Sequence, residues 1–189
     1  MDIRALHPTD LPDWLAFFEG PAFRDNREWS SCFCRAFLIE NPDAWDAACD
    51  GGLNRAPMCE AIENGAIDGM LARVDGDVVG WIHMGPVTRF NFSARFQDRA
   101  DDEPDVAGIV CLLVAAPMRR RGVAKALLRG AIETLRDRGF RRVRAWPRTD
   151  ESDSAEMSLF HGPRALYLSE GFVELGERGH LTVMERPLA

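Results

Sequence analysis

From Ile109 to Val114 six successive side chains are apolar, and from Val123 onward apolar residues return at helical spacing. The first run lacks polar alternation, so as a strand it must be covered on both faces. Val123, Leu127, Ala131, Thr134, Leu135 and Arg138 follow the i, i+4, i+8 rhythm of one helix face. Between them Pro117 and Arg119-Arg120-Arg121-Gly122 make a turn, so the order is strand, turn, helix. Upstream the pattern predicts a short strand over 3–6. A helix follows with Leu11, Trp14, Leu15 and Phe18 on one side and Thr9 or Asp10 as its cap. Asn54 is positioned to cap a second helix, running through Ile62 and ended by Asn64-Gly65. Strands over 70–74 and 78–83 flank Asp75-Gly76, a strong hairpin signal, and 142–146, 172–175 and 180–185 read as later strands. Residues 20–52 read as irregular and rich in aromatics. The stretch 85–104 holds Phe90, Phe92 and Phe96, too apolar for a plain linker and with room for a helical turn.

An antiparallel hairpin before and after one strand-helix-strand unit predicts an α/β architecture with a mixed, mostly antiparallel sheet and helices on both faces. The 46% hydrophobic content supports a sizeable core. With no repeat or linker in view, residues 1–189 are expected to form one domain. No segment approaches the ~20 apolar residues of a membrane helix, and Met1-Asp2-Ile3-Arg4 does not open a secretion signal, so a cytoplasmic protein without a membrane partner is expected. Five cysteines, an odd number, then read as reduced thiols.

The formal net charge of −7 argues against nucleic-acid binding, yet residues 119–148 carry eleven Lys or Arg against only Glu133 and Asp137. A local positive field in an acidic chain suits a small polyanion. The turn supplies a second reason: the first N–H groups of a helix have no internal partner, and the macrodipole adds partial positive charge there. A phosphate docked beside Arg119 to Arg121 would meet free donors and cations, and Gly122 would let it approach the main chain.

At these residues the chain resembles the GCN5-related N-acetyltransferases. Arg119-Arg120-Arg121-Gly122-Val123-Ala124 fits their R/Q-x-x-G-x-G/A signature, and Val114 with Pro117 matches the V-x-x-P before it. Ala165-Leu166-Tyr167-Leu168-Ser169-Glu170-Gly171-Phe172 resembles the family's short helix ending in Y-x-x-x-G-F, and Tyr167 is the only tyrosine in the chain. A bacterial subgroup is matched by Asn26-Arg27-Glu28-Trp29-Ser30-Ser31-Cys32-Phe33-Cys34, with its Cys-x-Cys segment.

The resemblance implies the acyl-CoA N-acyltransferase fold, with a central sheet of six to seven strands, and acetyl-CoA as cosubstrate. Arg119, Arg120, Arg121, Gly122, Val123, Ala124 and Lys125 would hold the pyrophosphate. Leu112, Leu113 and Val114 would offer a backbone N–H to the acetyl carbonyl. Tyr167 would be the general acid and a small-molecule or peptide amine the acceptor, selected by residues 20–55; a homodimer is compatible with the same resemblance. A non-catalytic acyl-CoA sensor is the alternative, with no need of Tyr167. Read alone, a tyrosine on a helix is a core aromatic. His83, His161, Glu103 and Asp105 are candidates for a base, with none singled out. Zinc at Cys32 and Cys34 is not expected, because Cys49 and Cys59 do not complete a C-x₂₋₄-C frame.

Overall fold

The computed structural model describes residues 1–39, 41, 44–91, 103–149 and 160–188 of the chain. Asp75 and Gly76 both adopt left-handed conformations, φ 54° and 94°, and close a two-residue turn between β2 (Gly69–Val74) and β3 (Asp77–Pro86). Such a turn twists in the same sense as the strands it joins. β1 (Asp2–Ala5) adds antiparallel to β2, and β4 (Val106–Val114) adds antiparallel to β3. β5 (Arg142–Ala145) runs parallel to β4, and β7 (Leu181–Pro187) then β6 (Val173–Arg178) complete seven strands in the order β1-β2-β3-β4-β5-β7-β6. The seven-stranded mixed sheet matches the expected fold.

Every residue of β4 except Val114 is buried, as the unbroken apolar run requires. Its alternation slips once. Across β3, His83 faces Cys111 and Met84 faces Ile109, so Val110 is an extra residue, a β-bulge. Ala107, Ile109 and then Leu112 pack on one face, while Val110 and Cys111 both turn to the other.

The two faces are covered differently. α4 (Val123–Asp137) buries Val123, Leu127, Leu128, Ala131, Ile132 and Leu135 on the first face, joined by Tyr167 of α5 (Arg164–Ser169). The observed stripe takes in Leu128 and Ile132 where Thr134 and Arg138 were expected. Arg138 instead reaches outward to Asp68 at 3.0 Å. The second face is aromatic. Trp14, Phe17 and Phe18 of α1 (Leu11–Phe18) and Met58 and Ile62 of α3 (Arg55–Glu63) meet Trp81 of β3.

Residues 20–38 form a strap over this second face, pinned by Ala22, Phe23, Phe33 and Cys34. Phe33 and Cys34 take φ 43° and 58°, left-handed values that cost non-glycine residues about 1–3 kcal/mol each. The region expected to be irregular also contains a helix, α2 (Ala44–Asp50). Two caps differ from expectation. Asn54 precedes α3 without capping it, because its side chain donates to the Ser31 carbonyl at 3.0 Å and accepts from Arg35 at 3.2 Å. Neither Thr9 nor Asp10 caps α1; Asp10 accepts the His7 N–H in a short turn before it. The segment 87–89 makes one helical turn, whereas Phe92 and Phe96 lie outside the described residues.

Candidate functional site

Pairing between β4 and β5 stops at Ile109 and Ala145, next to the Val110 bulge. A bulge bends its strand and adds twist, so β4 continues from Val110 to Val114 with its β5 edge open. The edge becomes one wall of a cleft of about 370 Å³. Leu112, Leu113 and Val114 form that wall; Phe23, Asn26 and Trp29 of the strap face it from one side, and Phe160, Pro163 and Leu166 from the other. The Trp29 and Phe160 rings meet at 4.4 Å across it.

At one end the cleft reaches the turn into α4. Gly122 is left-handed at φ 81°, with nothing within 4 Å of the place a Cβ would take. Ala126 makes the first intrahelical bond, to the Gly122 carbonyl at 3.0 Å, so the N–H groups of Val123, Ala124 and Lys125 come before any internal partner. Together with the helix dipole they make the kind of helix start that favours an anion. Arg119, Arg120, Gly122, Val123, Ala124 and Lys125 all line the cleft, and exposed Arg121 does not.

The side-chain charges there are largely answered by carboxylates. Arg119 pairs with Asp25 of the strap and donates through Nε to the Val114 carbonyl at 3.1 Å. That guanidinium holds the Asp25 carboxyl below its usual range. Lys125 and Arg129 lie 3.1 and 2.8 Å from Glu170, which follows α5 and is held low chiefly by the Arg129 hydrogen bond. Arg142 and Arg144 likewise share Glu103 and Glu185. Much of the positive excess of 119–148 is thus met by acidic residues from elsewhere in the chain. What the turn keeps is its row of backbone donors.

At the other end two donors converge. Leu112 donates its N–H to the Phe160 carbonyl at 2.6 Å, and Tyr167 donates its O–H to the His161 carbonyl at 2.6 Å. Consecutive carbonyls therefore hold both groups. Strand alternation puts the Val114 N–H on the same open edge as that of Leu112, closer to the turn. Tyr167 is fully buried and does not line the cleft; it stands behind Gly162, which does. A Cβ on Gly162 would lie 3.3 Å from the Tyr167 hydroxyl and 2.8 Å from Leu112. Burial, and secondarily the neighbouring Cys111, push the phenol's ionisation well above its ordinary range, so it keeps its proton.

None of the four candidate bases lines the cleft. Glu103 is tied to Arg142 and Arg144, whose hydrogen bonds hold it below the usual carboxylate range, and Asp105 lies 3.4 Å from Arg142. His161 is packed between Phe37 and Phe160, while His83 is buried with its Nδ1 3.4 Å from the Cys34 sulfur. Of the segment expected to select substrate, Ala22, Phe23, Asn26 and Trp29 reach the cleft. Asp25, Phe160 and the His161 carbonyl were missed, since an aspartate far upstream and two main-chain oxygens leave no motif. Among the described residues no group of three or more His, Cys, Asp or Glu is placed to hold a metal ion, and no helix is long and apolar enough to cross a membrane.

The sequence model of the acetyltransferase (GNAT) family matches residues 27–162. No curated protein matches the chain. Among solved structures, the ribosomal-protein-alanine N-acetyltransferase of Brucella melitensis is similar at TM-score 0.59 and 21% identity, covering 99% of each chain. PaiA N-acetyltransferase of Thermoplasma acidophilum, solved with coenzyme A, gives 0.57 at 16% identity, again over 99% of both. The yncA structure from Salmonella typhimurium, with its cofactor acetyl-CoA, gives 0.56 at 18%, covering 100% of this chain and 94% of that one.

Proposed function

Because the chain belongs to the acetyltransferase (GNAT) family, we propose that it is an acetyl-CoA-dependent N-acetyltransferase, passing an acetyl group from the thioester to a primary amine of a small molecule or peptide. The observation that carries this reading is the open edge of β4 leading directly into the unpartnered amides of the α4 turn. A diphosphate at Val123 to Lys125, with Arg120 and Arg121 beside it, would leave the thiol arm to run along Val114 and Leu113 towards Leu112. The whole of 1–189 is read as one such domain.

Transfer needs a positioned carbonyl, a neutral amine and a proton for the departing thiolate. The Leu112 N–H is assigned to the acetyl carbonyl, because it is the open-edge amide farther from the turn and nearer Tyr167. Such a donor is worth ~2.7–4 kcal/mol in other enzymes. Tyr167 is assigned the proton: burial keeps it protonated, and it stands one residue behind the cleft wall. Both assignments require the bonds to the Phe160 and His161 carbonyls to be exchanged for bonds to the substrate. The direct route is attack by the amine on the thioester, with no acyl-enzyme.

A non-catalytic acyl-CoA sensor is the competing reading, and the engagement of both donors is what favours it. Thermal unfolding with acetyl-CoA tests the shared premise. Coenzyme at 100 times its dissociation constant should add ~2.7 kcal/mol, a shift of about 5–11 °C for a chain of this size. No shift at saturation overturns both readings. Thiol release across a panel of amines then separates them, since an enzyme consumes thioester and a sensor does not.

A further inference from the structure

Behind the second face of the sheet lies a cluster that acetyl transfer does not use. Cys34, on the strap, points its sulfur at the ends of two β3 side chains. Trp81 donates Nε1–H to it at 3.4 Å, and His83 Nδ1 lies 3.4 Å away. Cys111, which faces His83 across the β3–β4 pair, packs in the same buried cluster as Cys34. All four residues are buried. An indole N–H and an imidazole nitrogen gathered on one sulfur suit a thiolate, and the left-handed backbone at Phe33 and Cys34 is the conformation that delivers it there.

The two thiols respond in opposite directions. Burial resists ionisation of Cys34, but the neighbouring Cys111, His83 and Trp81 outweigh it and hold the thiol below its usual range. Burial and the neighbouring Cys34 drive Cys111 well above the usual thiol range. The anion is thus favoured on Cys34 and the protonated thiol on Cys111, the division of labour of a peroxide-reactive pair.

We propose that Cys34 is a site of oxidation by hydrogen peroxide or a small hydroperoxide, resolved by Cys111 into a disulfide. In the first step the Cys34 sulfur attacks one peroxide oxygen and the O–O bond breaks. The departing hydroxide takes the proton shared between Cys34 and His83, leaving a sulfenic acid and one water. In the second step the Cys111 sulfur attacks Cys34, the S–O bond breaks, and the hydroxide leaves as water with the Cys111 proton. Two thiols are oxidised to one disulfide and one peroxide is reduced to two waters. The cross-link joins the strap to β4 one residue from Leu112.

Cys49 and Cys59, both half-buried, serve as internal references. The protein is exposed to graded hydrogen peroxide, quenched, alkylated and mapped by non-reducing peptide mass spectrometry. The expected result is a Cys34–Cys111 disulfide forming about tenfold or more faster than oxidation at Cys49 or Cys59, because the Trp81 N–H and the His83 ring beside its sulfur favour the thiolate. The intact mass falls by about 2 Da, the two hydrogens lost in forming the bond. In Cys111→Ser the second step is blocked, so a Cys34 sulfenic acid should accumulate and be trapped by dimedone. Oxidation of Cys34 no faster than that of the references overturns the proposal, as does a disulfide linking Cys34 to Cys32. The wild-type map decides by itself if the serine variant does not fold.

Discussion

The two ends of the cleft differ in how many of their hydrogen-bond donors are already committed. At the α4 turn, three consecutive amides from Val123 to Lys125 precede the first intrahelical bond and face a left-handed glycine. At the Tyr167 end, the Leu112 amide and the phenol are both held by the Phe160–His161 carbonyls. Filling the turn with an anion would break none of the hydrogen bonds described there. The far end must give up two hydrogen bonds before its donors can serve a substrate, so under the proposed function affinity and chemistry would be set by different segments. Variants at one end should therefore leave the property of the other largely alone.

The largest expected effect is at the committed end. Tyr167→Phe should lower the single-turnover rate by about 10²–10⁴ if the phenol supplies the proton, with the acetyl-CoA dissociation constant unchanged. Leaving the His161 carbonyl without its partner should cost ~1–3 kcal/mol of stability, read from denaturant unfolding. A stability loss of that size with an unaltered rate would reduce Tyr167 to a prop for the 160–161 segment.

Gly122→Ala probes the open end. The position has space for a methyl group, so the penalty is the left-handed backbone itself, ~1–2 kcal/mol. Calorimetry should find weaker acetyl-CoA binding as the turn relaxes and its amides lose alignment. A full-strength coenzyme titration with this variant would break the contrast between the ends.

The smallest effect is expected where strap and turn are tied together. Asp25→Asn removes the charge of a partly exposed pair with Arg119, worth at most about 1 kcal/mol. The folded Asp25 carboxyl is held low, so its contribution is complete above its unfolded value of ~3.9 and is lost as pH falls through the lowered folded value. Acid unfolding profiles of wild type and variant should therefore converge at low pH and separate above about pH 4. Equal stabilities at pH 7 would leave Arg119 anchored by the Val114 carbonyl alone.

What could be read in advance follows from how local its cause is. β4, the turn and α4 were legible because a strand buried on both faces, a left-handed glycine and an apolar stripe each mark the sequence within a few residues. α2 was not, since only Ala48 of Ala44–Asp50 is buried and the segment shows no stripe. Arg119 was expected among the phosphate ligands, yet its partner Asp25 lies 94 positions away, and sequence spacing carries no trace of the pairing. The Cys-x-Cys segment was weighed for zinc within its own stretch of chain. Its Cys34 sulfur lies instead against His83, with Cys111 across the β3–β4 pair, both brought to it by the sheet.

Val110 shows how little separates a continuous sheet from one with a slot. A single surplus peptide unit acts like a dislocation in a crystal: rows in step on one side of it are out of step on the other, and the mismatch leaves a seam. Shortening β4 by that residue would let the rows realign, carry the parallel ladder past Ile109 and zip the seam shut. The cleft along that edge would then close without any change to the side chains that line it.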